Sequence, residues 1–152
     1  MLPERLCNLL CSLRPDEEKL AYSVIFEMND KAEIKNYRIV KTVIKSDRRF
    51  TYEEAQAVIE TGEGDYKDEI LKLNELAQIL RKNRMASGAV DFDRVEVRFA
   101  IDETGRPISV YFKESKEANK LIEEFMLLAN RTVAECIDKV KKKKKAKVFP
   151  YR

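Results

Sequence analysis

The sequence contains no histidine among its 152 residues. This absence excludes catalysis by Ser-His or Cys-His pairs, and it removes the imidazole ligands that most zinc sites use. Cysteine is scarce as well, with only Cys7, Cys11 and Cys136. An odd number of cysteines without a disulfide framework is typical of a reducing compartment. We expect Cys7 and Cys11 to be buried small apolar side chains on a short helix.

Long hydrophobic runs are also absent, since no apolar stretch approaches the ~20 residues that a membrane-spanning helix needs. The N-terminus carries Pro3, Glu4 and Arg5 instead of the apolar core of a secretory signal. We therefore expect a cytoplasmic protein with no membrane partner. The sequence has no internal repeat, no glycine-rich phosphate loop and no Ser-x-x-Lys motif, which excludes the functions that those signatures mark.

What the sequence does contain is sufficient for one domain with a sizeable core, because 44% of its residues are hydrophobic. Charged residues make up 38% of the chain, with 30 Lys and Arg against 27 Asp and Glu and a net charge of +3. Seven of the lysines lie in the segment 139–147. Without that segment, 23 basic residues stand against 27 acidic ones, a net charge of −4, so the body of the chain is mildly acidic and its end is basic.

Hydrophobic periodicity predicts an α+β chain in which antiparallel β-hairpins pack with three main helices. Thr51 followed by Glu54 has the spacing of a capping box at a helix start. Asp91 and Asp93 have no third ligand at a sensible spacing, so we interpret them as loop residues and not as a metal site. The predicted elements are a helix at 2–12, strands at 22–28 and 33–46, helices at 52–60 and 66–85, strands at 95–101 and 108–113, and a helix at 116–140.

The helix predicted at 116–140 carries two adjacent glutamates in different surroundings. Leu127 lies almost opposite the apolar stripe, so we expect the middle of the helix to be covered by protein on several sides. Glu124 falls on a charged face four residues after Lys120, which predicts an ordinary solvated pair. Glu123 falls on a narrow polar strip with Asn130. A carboxylate there is costly unless it has a partner, which is either a group inside the fold or a ligand.

Three blocks of the sequence resemble one family. They occur in the family's order and at its approximate spacing, and together they make the chain similar to the catalytic RNB domain of the ribonuclease II and ribonuclease R family. The blocks are Met1-Leu-Pro-Glu-Arg-Leu-Cys-Asn-Leu-Leu-Cys-Ser-Leu-Arg-Pro15, Arg49-Phe-Thr-Tyr-Glu-Glu-Ala-Gln56 and Ala118-Asn-Lys-Leu-Ile-Glu-Glu-Phe-Met-Leu-Leu-Ala-Asn130.

The resemblance implies a small β-barrel wrapped by helices and threaded by single-stranded RNA. It implies an enzyme that degrades RNA processively from the 3′ end to nucleoside monophosphates, with Mg²⁺ held by aspartates. Tyr52 matches the family's tyrosine that stacks on a base near the 3′ end, although an aromatic residue at a helix start also packs as a hydrophobic staple. Glu123 matches a glutamate that clamps the terminal nucleotides. With Asn130 on the same strip, Tyr52, Glu123 and Asn130 are the expected RNA-binding residues.

The sequence also departs from the family, because the aspartate block that binds metal and the arginine that stabilises the phosphate do not occur in it. We therefore expect residues 1–152 to be the central part of a larger RNB catalytic domain, with no catalytic residue and no metal site of its own. Such a fragment would be inactive alone, and its uncovered surface would favour self-association. Whether the parent resembles ribonuclease II or ribonuclease R is left open.

Two other functions stay open at this point. The lysines at 139–147 would neutralise RNA phosphates in a non-enzymatic RNA-binding or regulatory module, with steep salt dependence. No aromatic residues interleave these lysines, so the simpler interpretation is a solvated helix end and linker. A protein-interaction domain is the third interpretation, and it predicts that Tyr52→Ala and Glu123→Ala leave RNA binding unchanged.

Overall fold

The structure, a computed structural model, describes residues 3–90 and 96–141. Its described part has two antiparallel hairpins and three α-helices, which confirms the predicted α+β class. None of its helices combines the length and the apolar character that crossing a membrane requires. The elements, in chain order, are a π-helix Leu6–Leu10, β1 Glu18–Met28, β2 Ile34–Lys45, α1 Tyr52–Thr61, α2 Lys67–Ala86, β3 Glu96–Ile101, β4 Pro107–Lys113 and α3 Glu117–Lys141.

The chain divides into two compact units, which we describe separately. The first consists of Met1–Glu54 together with Leu127–Arg152, and the second of Ala55–Met126. The first unit therefore contains the π-helix, the β1–β2 hairpin and the later part of α3. The second contains most of α1, all of α2, the β3–β4 hairpin and the first turns of α3.

In the first unit, β1 and β2 pair antiparallel from Glu18 opposite Lys45 to Met28 opposite Ile34. The turn between them depends on Asn29, whose Oδ1 accepts hydrogen bonds from the backbone N–H groups of Lys31 at 3.1 Å and Glu33 at 2.9 Å. A side chain that satisfies two backbone donors fixes a turn in this way, as the local sequence predicts. The predicted hairpin is confirmed, with a first strand that starts four residues earlier than expected.

The prediction that Cys7 and Cys11 are buried is wrong, because both are exposed. They belong to the turn around the π-helix, whose leucines Leu6, Leu9 and Leu10 are exposed as well. Apolar spacing indicates which side of a helix is able to pack, but burial requires a second element against that side. The whole turn lies at the surface of the described chain.

In the second unit, β3 and β4 pair antiparallel from Glu96 opposite Lys113 to Ile101 opposite Pro107. Asp102 holds the turn, since its Oδ1 accepts hydrogen bonds from the N–H groups of Thr104 and Arg106 at 2.8 and 2.9 Å. The apolar residues that alternate along both strands share one exposed face of the hairpin: Val97, Phe99, Ile101, Val110 and Phe112. The predicted strand residue Val95 and the loop residues Asp91 and Asp93 lie outside the described residues.

The small core of the second unit is formed by helices. Its buried apolar side chains are Val58 on α1, Ala77 on α2, and Ala118 and Leu121 on α3. The buried side chain of Gln56 accepts a hydrogen bond from the backbone N–H of Ala118 at 3.0 Å. Because the first N–H groups of a helix have no partner within the helix, this contact satisfies one of them and attaches the start of α3 to α1.

Candidate nucleic-acid interface

Helix α1 begins at a capping box, as the sequence predicts. The Thr51 hydroxyl accepts a hydrogen bond from the N–H of Glu54 at 3.1 Å, and the Glu54 carboxylate accepts one from the N–H of Thr51 at 2.7 Å. The hydrogen bonds from the Thr51 backbone and hydroxyl, followed by the charge of Arg48, hold the pKa of Glu54 below its ordinary value. These contacts fix the start of the helix, and with it the first helical residue, Tyr52.

Tyr52 is 43% exposed, so its ring is accessible from the solvent side of the helix start. The preceding segment places the guanidinium of Arg48 over the ring of Phe50, at 4.8 Å from its centroid. Arg48 also pairs with Glu54 at 3.4 Å. We call residues 48–54 the α1 entry segment. An exposed tyrosine ring, in a segment that also carries arginine and a second aromatic residue, is able to stack on a nucleobase.

Tyr52, which the sequence predicts to be an RNA contact, shares this segment with Arg48 and Phe50, for which no role is predicted from the sequence. The signal for them in the sequence is the run Arg-Arg-Phe-Thr-Tyr at 48–52, which combines two cations with two aromatic residues, as surfaces that bind single-stranded nucleic acid do.

The exposed side of α3 carries the other two predicted site residues. Glu123 and Asn130 are both exposed, and seven positions separate them, so they lie on one helix face about 10 Å apart along the axis. Between them Met126 and Leu127 are exposed as well. We call this the outer face of α3. Glu123 belongs to the second unit, whereas Asn130 and Tyr52 belong to the first.

Of the two partners expected for Glu123, a group inside the fold or a ligand, the first is not required, because Glu123 is exposed and its carboxylate is hydrated by solvent. The expectation for Glu124 is wrong. Glu124 is only 4% exposed, and its partner is Arg84 on α2 and not Lys120. The two adjacent glutamates therefore have reversed roles relative to the prediction: Glu124 is internal and Glu123 faces outward.

This reversal follows from how α3 is rotated. The buried line of the helix passes through Ala118, Leu121, Glu124 and Thr132. Buried Thr132 is satisfied by its own helix, since its hydroxyl donates to the Leu128 carbonyl at 2.8 Å. The described residues do not by themselves cover the middle of α3 on several sides, because large apolar side chains remain exposed there: Ile122, Met126 and Leu127.

The resemblance to a magnesium-dependent family calls for a test of the available ligands. Across residues 3–90 and 96–141, no three Cys, Asp or Glu side chains are grouped closely enough to hold a metal ion. Mg²⁺ prefers carboxylate oxygens around it. The described side chains therefore do not fit a magnesium site, and we assign no chemical step to a metal on them.

Comparison with known proteins adds sequence and structural relatives. A family model described as RNB domain matches residues 1–149. Exosome complex exonuclease RRP44 of Mus musculus is 46% identical over 140 residues, which is 90% of this chain and 15% of that protein. Ribonuclease R of Aquifex aeolicus is 39% identical over 140 residues, which is 88% of this chain and 20% of that protein.

A solved structure extends the similarity to the fold. Mycoplasma genitalium RNase R in complex with ribose methylated single-stranded RNA matches with a TM-score of 0.83 and 27% identity, over 92% of this chain and 22% of that one. The chain therefore spans between 15% and 22% of the length of these three proteins.

Proposed function

The chain belongs to the RNB-domain family, and on that basis we propose that it holds single-stranded RNA as the substrate-positioning part of a processive 3′-to-5′ exoribonuclease. One observation carries the proposal. The residues that match the family's RNA contacts, Tyr52 and Glu123, are exposed, whereas the neighbouring glutamates Glu54 and Glu124 are engaged in internal hydrogen bonds. Each motif thus contains one glutamate that supports the fold and one exposed residue that matches a family RNA contact.

The chemistry of the exposed residues suits RNA. Stacking of a base on Tyr52 contributes ~1–3 kcal/mol and tolerates any base, as a processive nuclease requires. The Glu123 carboxylate only accepts hydrogen bonds and repels phosphate, so its partner on RNA is a ribose hydroxyl or a base N–H. Asn130 both donates and accepts. Contact with a 2′-hydroxyl would favour RNA over DNA.

The hydrolytic step is assigned to parts of the enzyme other than residues 1–152. An in-line displacement at phosphate uses metal ions to activate water and to stabilise the leaving oxygen, and the described side chains do not fit such a site. We expect the 152-residue chain to release no nucleoside monophosphate from a single-stranded oligoribonucleotide in Mg²⁺. Processive trimming by this chain would contradict the assignment. We also propose that the protein is cytoplasmic.

The RNA contacts are tested by fluorescence anisotropy with a 5′-labelled single-stranded oligoribonucleotide. Tyr52→Ala should weaken binding by about 5- to 150-fold, the equivalent of one lost stack, and Tyr52→Phe should retain it. Tyr111→Ala is the matched control, because Tyr111 on β4 is comparably exposed. Equal losses for Tyr52→Ala and Tyr111→Ala, or no loss for either, would contradict the proposed contact.

We propose in addition that the chain self-associates through the exposed apolar face of the β3–β4 hairpin. Along that face Val97 lies opposite Phe112, and Phe99 opposite Val110, and all four are exposed. Contiguous apolar surface of this kind is usually covered by another protein surface. When no other protein segment packs on the apolar face of the β3–β4 hairpin, a second copy of the chain is the surface that covers it.

A further inference from the structure

A contact with three hydrogen bonds within the second unit joins Arg84 on α2 to Glu124 on α3, 40 positions apart. Arg84 Nε donates to both carboxylate oxygens at 3.1 and 3.2 Å, and Nη2 donates to Oε1 at 2.5 Å. The Glu124 side chain is 5% exposed and that of Arg84 30%. Neither residue is among the proposed RNA contacts, so the proposed function assigns this pair no role.

A second contact fixes the same helix at a different point. The Gln56 side chain holds the backbone N–H of Ala118 at 3.0 Å. Ala118 and Glu124 are six residues apart, which places the two attachments about 9 Å apart along α3 and about 120° apart around it. Two attachments at different positions along the axis and at different angles around it fix both the axial position and the rotation of α3.

The rotation matters because two carboxylates stand side by side on α3. Glu124 lines a small cleft that also contains Arg81 and Lys120, and both of these cations pair with Glu117, at 3.7 and 3.9 Å. Without Arg84, the buried Glu124 carboxylate would therefore lose the cation that pairs with it, which is costly. If Arg84 were lost, the least costly response would be for α3 to turn and expose Glu124. Because Glu123 lies about 100° away on the same helix, that turn would carry it away from the direction it now faces.

We infer that Arg84 is a positioning residue, which selects Glu124 as the internal carboxylate and thereby holds Glu123 outward towards the RNA. The inference rests on the proposed RNA role of Glu123. It goes beyond that role because it makes the affinity for RNA depend on a residue of another helix that does not touch the ligand. It also explains why two adjacent glutamates of the same type serve different purposes.

A double-mutant cycle on RNA affinity tests the inference. Glu123→Gln should weaken binding by about tenfold, the value of a hydrogen bond to a charged group. In the Arg84→Met background the same change should cost less than about twofold, because Glu123 would already be displaced. A role of Arg84 in stability alone predicts the same factor in both backgrounds. Arg131→Met is the matched control, since it removes an exposed pair with Glu135 on the same helix.

A rescue variant keeps the test valid if Arg84→Met folds poorly. In Arg84→Met/Glu124→Leu the side chain at position 124 is apolar, so no buried carboxylate lacks a partner and nothing drives α3 to rotate. RNA affinity should return to within about twofold of the original, and Glu123→Gln should again cost about tenfold. Failure of this variant to regain affinity while it is fully folded would overturn the inference.

A readout without RNA separates this inference from the proposed function. A spin label at Glu123→Cys, with Cys7, Cys11 and Cys136 replaced by serine, should give a mobile spectrum that gains an immobile component on Arg84→Met. If that happens while Glu123→Gln leaves RNA affinity unchanged, the RNA role fails and the positioning role stands. If the spectrum does not change, or if Glu123→Gln weakens RNA binding by the same factor of about tenfold with and without Arg84, the positioning role is overturned.

Discussion

Loss of Arg84 should destabilise the chain far more than loss of an exposed arginine. Truncating one partner of a buried ion pair costs ~3–5 kcal/mol, because the other charge must then either stay buried without a partner or be exposed by a rearrangement, here a turn of α3. Since the Arg84 side chain is 30% exposed, water reaches part of this pair, and we expect Arg84→Met to cost the lower value, about 3 kcal/mol. For a chain of this size that corresponds to a fall in Tm of about 6–12 °C.

The measurement is urea and thermal unfolding followed by circular dichroism. The variant Arg84→Met/Glu124→Leu should lie within about 1 kcal/mol of the original, because replacing both charges by apolar groups removes the desolvation cost together with the attraction. Arg131→Met should cost less than about 0.5 kcal/mol, since its pair with Glu135 is exposed. The reasoning is refuted if the double variant is as unstable as Arg84→Met, or if Arg84→Met and Arg131→Met cost the same.

Four further predictions concern the helix cap, the acid response, the lysines and self-association. Thr51→Ala should lower the free energy of unfolding by ~1 kcal/mol in urea, whereas Thr51→Ser should retain it; equal losses would argue against the cap. Because the pKa of Glu54 is lowered from 4.5, its contribution is present above that value and is lost as the pH falls through the folded pKa, so the stability difference between the original chain and Glu54→Gln should shrink between about pH 7 and about pH 3. Deletion of residues 141–147 should leave RNA affinity unchanged at two salt concentrations, and a lost salt dependence would favour the tail-driven module. Phe112→Lys should reduce the self-association measured by sedimentation, and a strictly monomeric original chain at high concentration would rule that association out.

The parts of the fold that sequence reasoning predicts are those held by nearby residues. The capping box of Thr51 and Glu54 forms within three positions, and the turn at Asn29 within four. The strands follow from alternation, and each of them pairs with its neighbour in sequence. These interactions depend on little beyond the local chain, so the hairpins and the long helices are confirmed with small shifts in their ends.

The rotation of α3 could not be predicted, because it is set by a residue far along the chain. Helical spacing gives the angle between Glu123 and Glu124 but not which of them faces the interior. A count of apolar neighbours predicts that the side of α3 near Phe125 faces the interior. The bidentate contact of Arg84 makes burial of Glu124 tolerable, and this contact is not visible in the local sequence. Likewise, Cys7 and Cys11 have the spacing of buried residues, but no local pattern supplies a surface to cover them.

The outward position of Glu123 also restricts how this chain can bind RNA. Near the proposed contacts, Arg48 is already paired with Glu54, and Glu123 itself would repel a phosphate. Neutralisation of phosphates is therefore a poor source of affinity for the outer face of α3 and the α1 entry segment, and stacking on Tyr52 with hydroxyl contacts at Glu123 is a better one. Contacts of this kind depend little on base identity and weakly on salt. They are individually weak enough to break each time the strand advances by one nucleotide, as processive degradation from an end requires.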